Sequence, residues 1–346
     1  MNEERLQTLL DGFSNVRILV VGDYFVDRYL VMDPTLAETS LETGRVAHQV
    51  IDIRNSPGAA GTVVNNLRAL DVQVAALGVV GCDGMAYELL HGLQADGVDT
   101  AGMLETDDRF TPTYYKPMEL QPDGSVQETE RMDIKNRTPL PEHLEEQVIA
   151  ELRAQIRNAD GIIVADQVPE ANCGVITDQV RAALDQLALV YPDKVLAADS
   201  RLRIGAFQHL ICKPNDREAC MAVRGPDADA EANEQPMLEE AAEAGMALYR
   251  RSSRPVFVTV GARGMLVCAD GAMTHLPAVE VPEPIDIVGA GDSAMAGITA
   301  ALCAGASPIE AGQIANLMAS ITIQQLGTTG TASREQVLER WRESVT

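Results

Sequence analysis

The first long apolar run, Arg17-Ile18-Leu19-Val20-Val21-Gly22-Asp23, is unbroken until it ends in Gly-Asp, the pattern of a strand buried on both faces. Ahead of it, residues 1–13 place Leu6, Leu9 and Leu10 on one side of a short amphipathic helix. Comparable apolar runs recur at 74–80, 161–166, 195–199, 210–212 and 255–260. Between them lie stretches with helical periodicity, at 86–95, 142–157, 175–190, 215–223 and 237–251. Such alternation predicts an α/β fold, a doubly wound, mostly parallel sheet with helices on both faces. Residues 265–268 read as a strand hairpinned onto 255–260, and 225–235 as an acidic surface loop.

Two regions break the alternation. Residues 29–54 and 111–134 hold short β-tending segments at 30–32, 46–53, 113–116 and 126–132, the last two flanking the turn Pro122-Asp123-Gly124. They predict four short strands in two hairpin-like pieces, a small β-sheet lid standing off the main body. Next, Pro57-Gly58-Ala59-Ala60-Gly61-Thr62-Val63-Val64-Asn65-Asn66 is a small-residue turn leading into a helix that ends near Leu70. A second such turn, Asp286-Ile287-Val288-Gly289-Ala290-Gly291-Asp292, sets a carboxylate on either side of Gly-Ala-Gly and opens a helix ending near Gly305. Ser307-Pro308-Ile309-Glu310 is a capping box with Pro at the first helical position, starting a helix to about Leu326. No repeat or low-complexity linker divides the chain, so a single domain over 1–346 is expected.

The Gly-Ala-Gly turn suits anion chemistry. Glycine reaches positive φ and lets a ligand approach the backbone, unpaired amides at a helix start attract phosphate, and an adjacent carboxylate can act as general base. In open α/β sheets ligands bind beyond the carboxyl ends of the strands, so Asp23, Asp27, Asp166, Asp199 and Lys213-Pro214-Asn215 share a candidate rim. Lys+Arg 27 against Asp+Glu 51 gives a net charge of −24, which argues against sequence-independent binding to nucleic acid or anionic membrane. An anionic substrate must therefore meet a local positive site or a metal ion. The cysteines at 82, 173, 212, 220, 268 and 303 form no CxxC pair and read as reduced core residues, and the scattered histidines offer no zinc spacing. No secretory segment opens the chain and no apolar run reaches the roughly 18 residues of a membrane span, so a cytoplasmic protein is expected. Neither a GxGxxG turn after the first strand nor a GxxxxGK[ST] loop is present, which weighs against a dinucleotide-dependent oxidoreductase and a P-loop enzyme.

The GAGD stretch resembles the carboxyl-terminal signature of the ribokinase-like (PfkB) carbohydrate kinases, and the Pro57 to Asn66 region resembles their amino-terminal signature, in the same order and spacing. Asp27-Arg28-Tyr29, Ser40-Leu41-Glu42, Pro112 to Lys116, Arg131-Met132-Asp133 and Asp199-Ser200 look most like the kinase domain acting on D-glycero-manno-heptose 7-phosphate. The resemblance implies a ribokinase-like fold and transfer of the ATP γ-phosphoryl group to a sugar hydroxyl. It implies Asp292 as the base, with the amides of Gly289, Ala290 and Gly291 holding the transferring group. Asp27, Gly58, Ala59, Thr62 and Asn66 would meet the sugar, and Lys116 and Arg131 would either meet a substrate phosphate or stand as solvated cations. Asn215 and Glu218 match the NxxE motif that reaches Mg²⁺ through water. Thr259, Gly261 and Gly264 resemble the TxGxxG nucleotide loop, and Asn316 matches a position near the adenine. Asp286 either orders its turn or contacts nucleotide or a monovalent cation. Family habit and the β elaboration imply a homodimer formed through the lid.

Departures from the pattern bear on the substrate. Ala59 and Thr62 stand where a second glycine and a sugar-binding asparagine are usual, and Val288 replaces a threonine. Ribokinase-, fructokinase- or nucleoside-kinase-like specificity, and a sugar- or nucleotide-binding homologue without turnover, are therefore alternatives. The chain ends at Thr346, and a kinase without the nucleotidyltransferase domain of bifunctional heptose enzymes is expected.

Overall fold

The computed structural model describes residues 1–225 and 236–345; most of the acidic segment expected as a surface loop lies outside the described residues. Chain order is α1 (Glu3–Gly12), β1 (Arg17–Gly22), β2 (Tyr24–Thr39), β3 (Val46–Ala59), α2 (Ala60–Ala69), β4 (Gln73–Gly81), α3 (Gly84–Ala95) and β5 (Asp99–Thr106). There follow β6 (Thr113–Leu120), β7 (Val126–Glu128), β8 (Met132–Ile134), α4 (Glu142–Gln155), β9 (Gly161–Asp166), α5 (Asp178–Val190), β10 (Val195–Ser200) and β11 (Ile211–Cys212). The carboxyl-terminal part adds α6 (Asp216–Arg224), α7 (Leu238–Ser252), β12 (Val256–Thr259), β13 (Met265–Ala269), β14 (Ala272–Leu276), α8 (Ala290–Cys303), α9 (Pro308–Thr322) and α10 (Arg334–Val345).

The main sheet has nine strands in the order β14-β13-β12-β11-β10-β9-β1-β4-β5. All neighbours are parallel except β12–β13 and β13–β14, the predicted hairpin and one further strand. Because successive residues of a strand face opposite ways, Ile18 and Val20 of β1 enter one core and Leu19 and Val21 the other. The first core lies under α1, α2, α8 and α9; the second lies under α4, α5 and α7. Strand order reverses at β1, whose neighbours are β4 and β9, and this is where α/β sheets open a crevice beyond their carboxyl ends.

The lid is a separate sheet ordered β3-β2-β6-β7, with β8 also paired to β6. The structure corrects the sequence expectation here: β2 and β3 are long strands of 16 and 14 residues, running from the buried Tyr24 and the half-buried Ala59 out to the exposed Thr39 and Val46. The lid is thus rooted in the core rather than appended to it. Strand β5 and helix α10 were not anticipated. Cys82 is exposed, not buried as its class suggested. No helix among the described residues is long and apolar enough to cross a membrane.

Candidate active site

The turn before α8 is built as its glycines require. Gly289 lies at φ 83°, in the left-handed region, and a Cβ there would crowd Thr329 and Thr62 at 3.3 and 3.5 Å. The first helical hydrogen bond runs from Ser293 N–H to Gly289 C=O, so the amides of Gly289, Gly291 and Asp292 have no backbone partner among the described residues. Ala290 differs from expectation, because its amide donates to Ile287 C=O at 3.2 Å inside the turn. Asp286 helps to order this turn: its carboxylate accepts from Val288 N–H at 3.0 Å and from Gly327 N–H at 3.2 Å.

Beside the turn stands Lys213, just after β11, a residue that the motif reading left out. It is 3% exposed, its Nζ pairs with Asp199 Oδ2 at 3.0 Å, and it lies 3.5 Å from where a Gly291 Cβ would sit. Burial pulls the Lys213 ammonium down, but Asp199, Glu218 and Asp292 outweigh it and the pKa rises. Burial and the nearby Asp199 push Asp292 up to about 7, with Lys213 and Arg201 opposing. The same causes, burial first and Asp199 second, push Glu218 up to about 7. No side chain among the described residues hydrogen-bonds to the Asp292 carboxylate. A carboxylate of this pKa, next to free amides and a lysine, can take a proton from an alcohol near neutral pH while the amides receive negative charge.

The NxxE motif has a local reason. Asn215 caps α6 by accepting from Glu218 N–H, and Glu218 accepts from Asn215 N–H, both at 2.8 Å, which aims Glu218 back toward Lys213. Among the described residues no three His, Cys, Asp or Glu side chains converge to hold a metal directly. The donors fit Mg²⁺ held through water, because Glu218, Asp199 and Asp292 leave negative charge that Lys213 does not cancel. Thr259 ends β12 and donates its amide to Pro214 C=O at 3.0 Å, and Gly261 opens the turn that follows. Gly264, at φ 96°, must be glycine, since a Cβ would fall 2.2 Å from Leu276 C=O. Asn316 donates to Leu276 C=O and Pro277 C=O, the backbone against which Gly264 packs, so its amide is held by the end of β14.

Two other rim carboxylates, Asp23 and Asp166, are engaged by neighbouring loops. Asp23 is buried and accepts three amides, from Gln167, Val168 and Val175. Asp166 is gripped by the Arg203 guanidinium and accepts from Ser200 Oγ at 2.6 Å. Both tie down the loops beyond β1 and β9. The Thr62 hydroxyl turns back to Pro57 C=O, and the fully buried Asn66 donates to Thr62 C=O and Gly330 C=O while its Oδ1 has no partner among the described residues. Ala59 occupies φ 52°, a conformation that glycine accepts and alanine resists, which gives the physical reason for a glycine at this position elsewhere.

One face of the lid gathers the remaining candidates. Strand pairing aligns Asp27 with Tyr114, Tyr114 with Asp133, Tyr29 with Lys116 and Tyr29 with Arg54, so these side chains share a side. Lys116 Nζ pairs with Asp27 Oδ1 at 3.0 Å and with the Tyr29 hydroxyl at 3.2 Å, and Arg54 stacks on the Tyr29 ring. Arg131 stacks 4.2 Å above the Tyr114 ring and grips Asp133. Lys116 is therefore committed to Asp27 rather than free for phosphate. Gly58 faces Phe25 across the β2–β3 pair, and a Cβ there would lie 2.8 Å from Asp27 Oδ2. Arg54 donates across to Gly327 C=O at 3.0 Å, which turns this face toward the Asp286 turn.

The structure thus joins a mostly parallel α/β sheet, an amide-lined turn with an adjacent carboxylate, and a separate lid sheet. Residues 20–335 match the pfkB family of carbohydrate kinases, and the chain belongs to that family. The bifunctional protein HldE of Trichlorobacter lovleyi is 29% identical over 334 residues, covering 95% of this chain and 64% of that protein. HldE of Desulfatibacillum aliphaticivorans is 30% identical over 324 residues, covering 91% and 61%. The chain thus spans somewhat less than two thirds of these relatives. Among solved structures, Escherichia coli phosphofructokinase-2 in complex with potassium superposes with a TM-score of 0.71 at 16% identity, covering 96% of this chain and 100% of that one. Arabidopsis thaliana ribokinase complexed with ribose and ATP gives 0.65 at 18% identity, covering 94% and 98%. These likenesses establish the ribokinase-like fold.

Proposed function

We propose that this chain is a single kinase unit that moves the γ-phosphoryl group of ATP in line to a hydroxyl of a sugar phosphate, with a heptose 7-phosphate as the acceptor. The observation that carries this reading is the Asp292 carboxylate, raised to about 7 and set beside free amides and Lys213. Asp292 removes the hydroxyl proton, the amides of Gly289, Gly291 and Asp292 receive the developing charge, and Lys213 neutralises it from the other side. Asp27 accepts paired sugar hydroxyls, held in place by Lys116 and by the space that Gly58 leaves. Asn215, Glu218 and the Thr259 to Gly264 loop face the nucleotide, and Glu218 with Asp199 would hold Mg²⁺ through water. A bound Mg²⁺ supplies charge neutralisation for the donor phosphates. The HldE relatives favour the heptose acceptor, and the ATP and potassium complexes of the fold neighbours favour ATP with a monovalent cation near Asp286.

We place the enzyme in the cytoplasm as a homodimer through the lid. The lid face opposite Asp27 carries Leu30, Met32, Val50 and Ile53, of which Val50 and Ile53 are exposed, an apolar surface that a second copy would cover. Light scattering at working concentration checks the dimer; a monomeric mass overturns it. ADP release measured against paired sugars and sugar phosphates checks the activity. Transfer to heptose 7-phosphate above all others is expected, and release with none of them overturns the kinase reading.

A further inference from the structure

At the carboxyl ends of β4 and β5, the opposite end of the sheet order from β12 and its nucleotide loop, α3 walls a cavity of about 500 Å³. That size is ordinary for a small-molecule pocket. Its lining includes Cys82, Asp83, Tyr87, Leu90, His91 and Glu105, and none of these belongs to the candidate active site. The first turn of α3 leaves the space open, since a Cβ on Gly84 would meet nothing within 4 Å.

Two features fix the chemistry of an occupant. The first is a flat aromatic wall: Tyr87 and His91, one helical turn apart, stack with their planes 2° apart and their centres 5.7 Å apart, and Tyr87 is 67% exposed. The second is negative charge. Desolvation, and then Asp107, Glu105 and Asp83, push the Cys82 thiol up, so three carboxylates bear on one wall. Burial pulls Asp83 up as well, but the amides of Thr111, Ala86 and Met85 outweigh it and hold the carboxyl below its ordinary value. The same bonds direct the positive start of α3 onto Asp83, so the helix end does not repel a cation from the cavity. Glu105 has no cation paired with it, and no lysine or arginine lines the space, among the described residues. Nor do three His, Cys, Asp or Glu side chains converge to hold a metal among those residues. The carboxylates therefore suit a diffuse organic charge better than a coordinated ion.

We propose that this cavity binds a small organic cation, an alkylammonium or guanidinium compound of the polyamine class, with its charge toward Glu105 and its body laid on the Tyr87–His91 stack. Ring faces attract cations, and a guanidinium plane stacks on them, whereas a hydrated inorganic ion gains only from the carboxylates. The site is separate from the transfer turn and stands or falls independently of the kinase reading.

The test is titration calorimetry of the full chain with spermidine and with agmatine at fixed ionic strength, where one molecule per chain is expected. Glu105→Gln should weaken binding about tenfold and Tyr87→Leu about fivefold. Gly84→Phe, which places a ring in the cavity, should abolish it, and thermal melts show that each variant keeps its fold. Mg²⁺ at equal ionic strength should not displace spermidine. Equal binding by the wild type and all three variants, displacement by Mg²⁺, or several molecules per chain would mean counterions gathered on a surface of net charge −24, and overturns the site. A tri-arginine peptide that binds about tenfold more tightly than agmatine would make the cavity a groove for a protein partner and overturns the small-molecule occupant. Binding of neither probe overturns the inference outright.

Discussion

Two lysine–aspartate pairs, each closing at 3.0 Å, mark the two working surfaces: Lys213–Asp199 in the core and Lys116–Asp27 on the lid. Their surroundings are opposite in sign. Glu218 and Asp292 crowd the core pair with further carboxylates, and both are pushed up to about 7. Arg54, Arg131 and Lys135 share the lid face with the other pair, and only Asp133 answers them. The same ion pair therefore does different work in each place. In the core it sits within an excess of negative charge that raises the pKa of its neighbours and suits a hydrated divalent ion; on the lid it fixes the Asp27 carboxylate amid an excess of positive charge.

The two surfaces differ most at Asp292. Asp292→Asn keeps the shape of the turn but removes the base, and kcat is expected to fall by roughly a thousandfold, with the KM for ATP little changed. The variant should at the same time be more stable than the wild type at pH 8, by on the order of 1 kcal/mol, because it no longer ionises a buried carboxyl. Steady-state kinetics and thermal melts at pH 8 check both. Near wild-type turnover would assign the base elsewhere, and a loss of stability would mean that Lys213 needs the charge more than burial penalises it.

The pH profile sharpens the same point. A base of pKa about 7 must be ionised to work, so kcat should fall about tenfold per pH unit below 7. Stability should run the other way. Asp23, Glu218 and Asp292 have folded values raised to about 6, 7 and 7, so the stability they contribute is complete below their unfolded values near 4 and is lost as pH rises through 6 to 7. The melting temperature at pH 5.5 is expected to exceed that at pH 8 while turnover is lower. A kcat flat from pH 6 to 8 would remove Asp292 from the role.

What the sequence disclosed follows the same division. The Gly289 turn and strand β9 were legible because their signals are local: a glycine at φ 83° and six consecutive buried residues. Helix α9 announced itself through its capping box, which the structure contains. Strand β5 was missed because it is an edge strand in which Met103 and Leu104 are its only large apolar residues, and α10 because Val337 is its only buried residue. Lys213 stands on the rim in the sequence, but its charge has no meaning without Asp199, fourteen residues earlier on the neighbouring strand. Asp23, Asp166 and Asp199 all stand at or near strand ends, and only their tertiary partners tell them apart. On the lid, residue identities gave cations but not their partners, so Lys116 and Arg131 read alike although only one is fully neutralised.

On the lid side, Gly58→Ala tests whether the Asp27 carboxylate must sit where it does. The added Cβ would stand 2.8 Å from Asp27 Oδ2 and 3.6 Å from the Phe25 Cβ, so the carboxylate has to move away from the sugar and from Lys116. An increase of about tenfold in the acceptor KM is expected, with the KM for ATP unmoved. Equal changes in both constants would mean that the substitution distorts the start of α2, and with it the core, rather than the lid alone.

The smallest effect is expected where the two surfaces meet. Arg54 stacks on Tyr29, the hydroxyl that holds Lys116, and donates to Gly327 C=O at 3.0 Å; Gly327 N–H in turn donates to Asp286, which orders the turn that carries the transfer amides. These contacts form an unbroken path from Asp27 to Gly289, but its weakest link is a solvent-exposed hydrogen bond worth about 1 kcal/mol. Arg54→Gln should therefore lower kcat only a few-fold. Measured together with Gly58→Ala, it discriminates two designs. If the path couples the surfaces, the double variant loses less than the product of the single losses, because the second substitution removes a connection already cut. If the losses multiply, the lid selects the acceptor and the turn transfers the phosphoryl group independently, and the opposite charge of the two surfaces is then the whole of their cooperation.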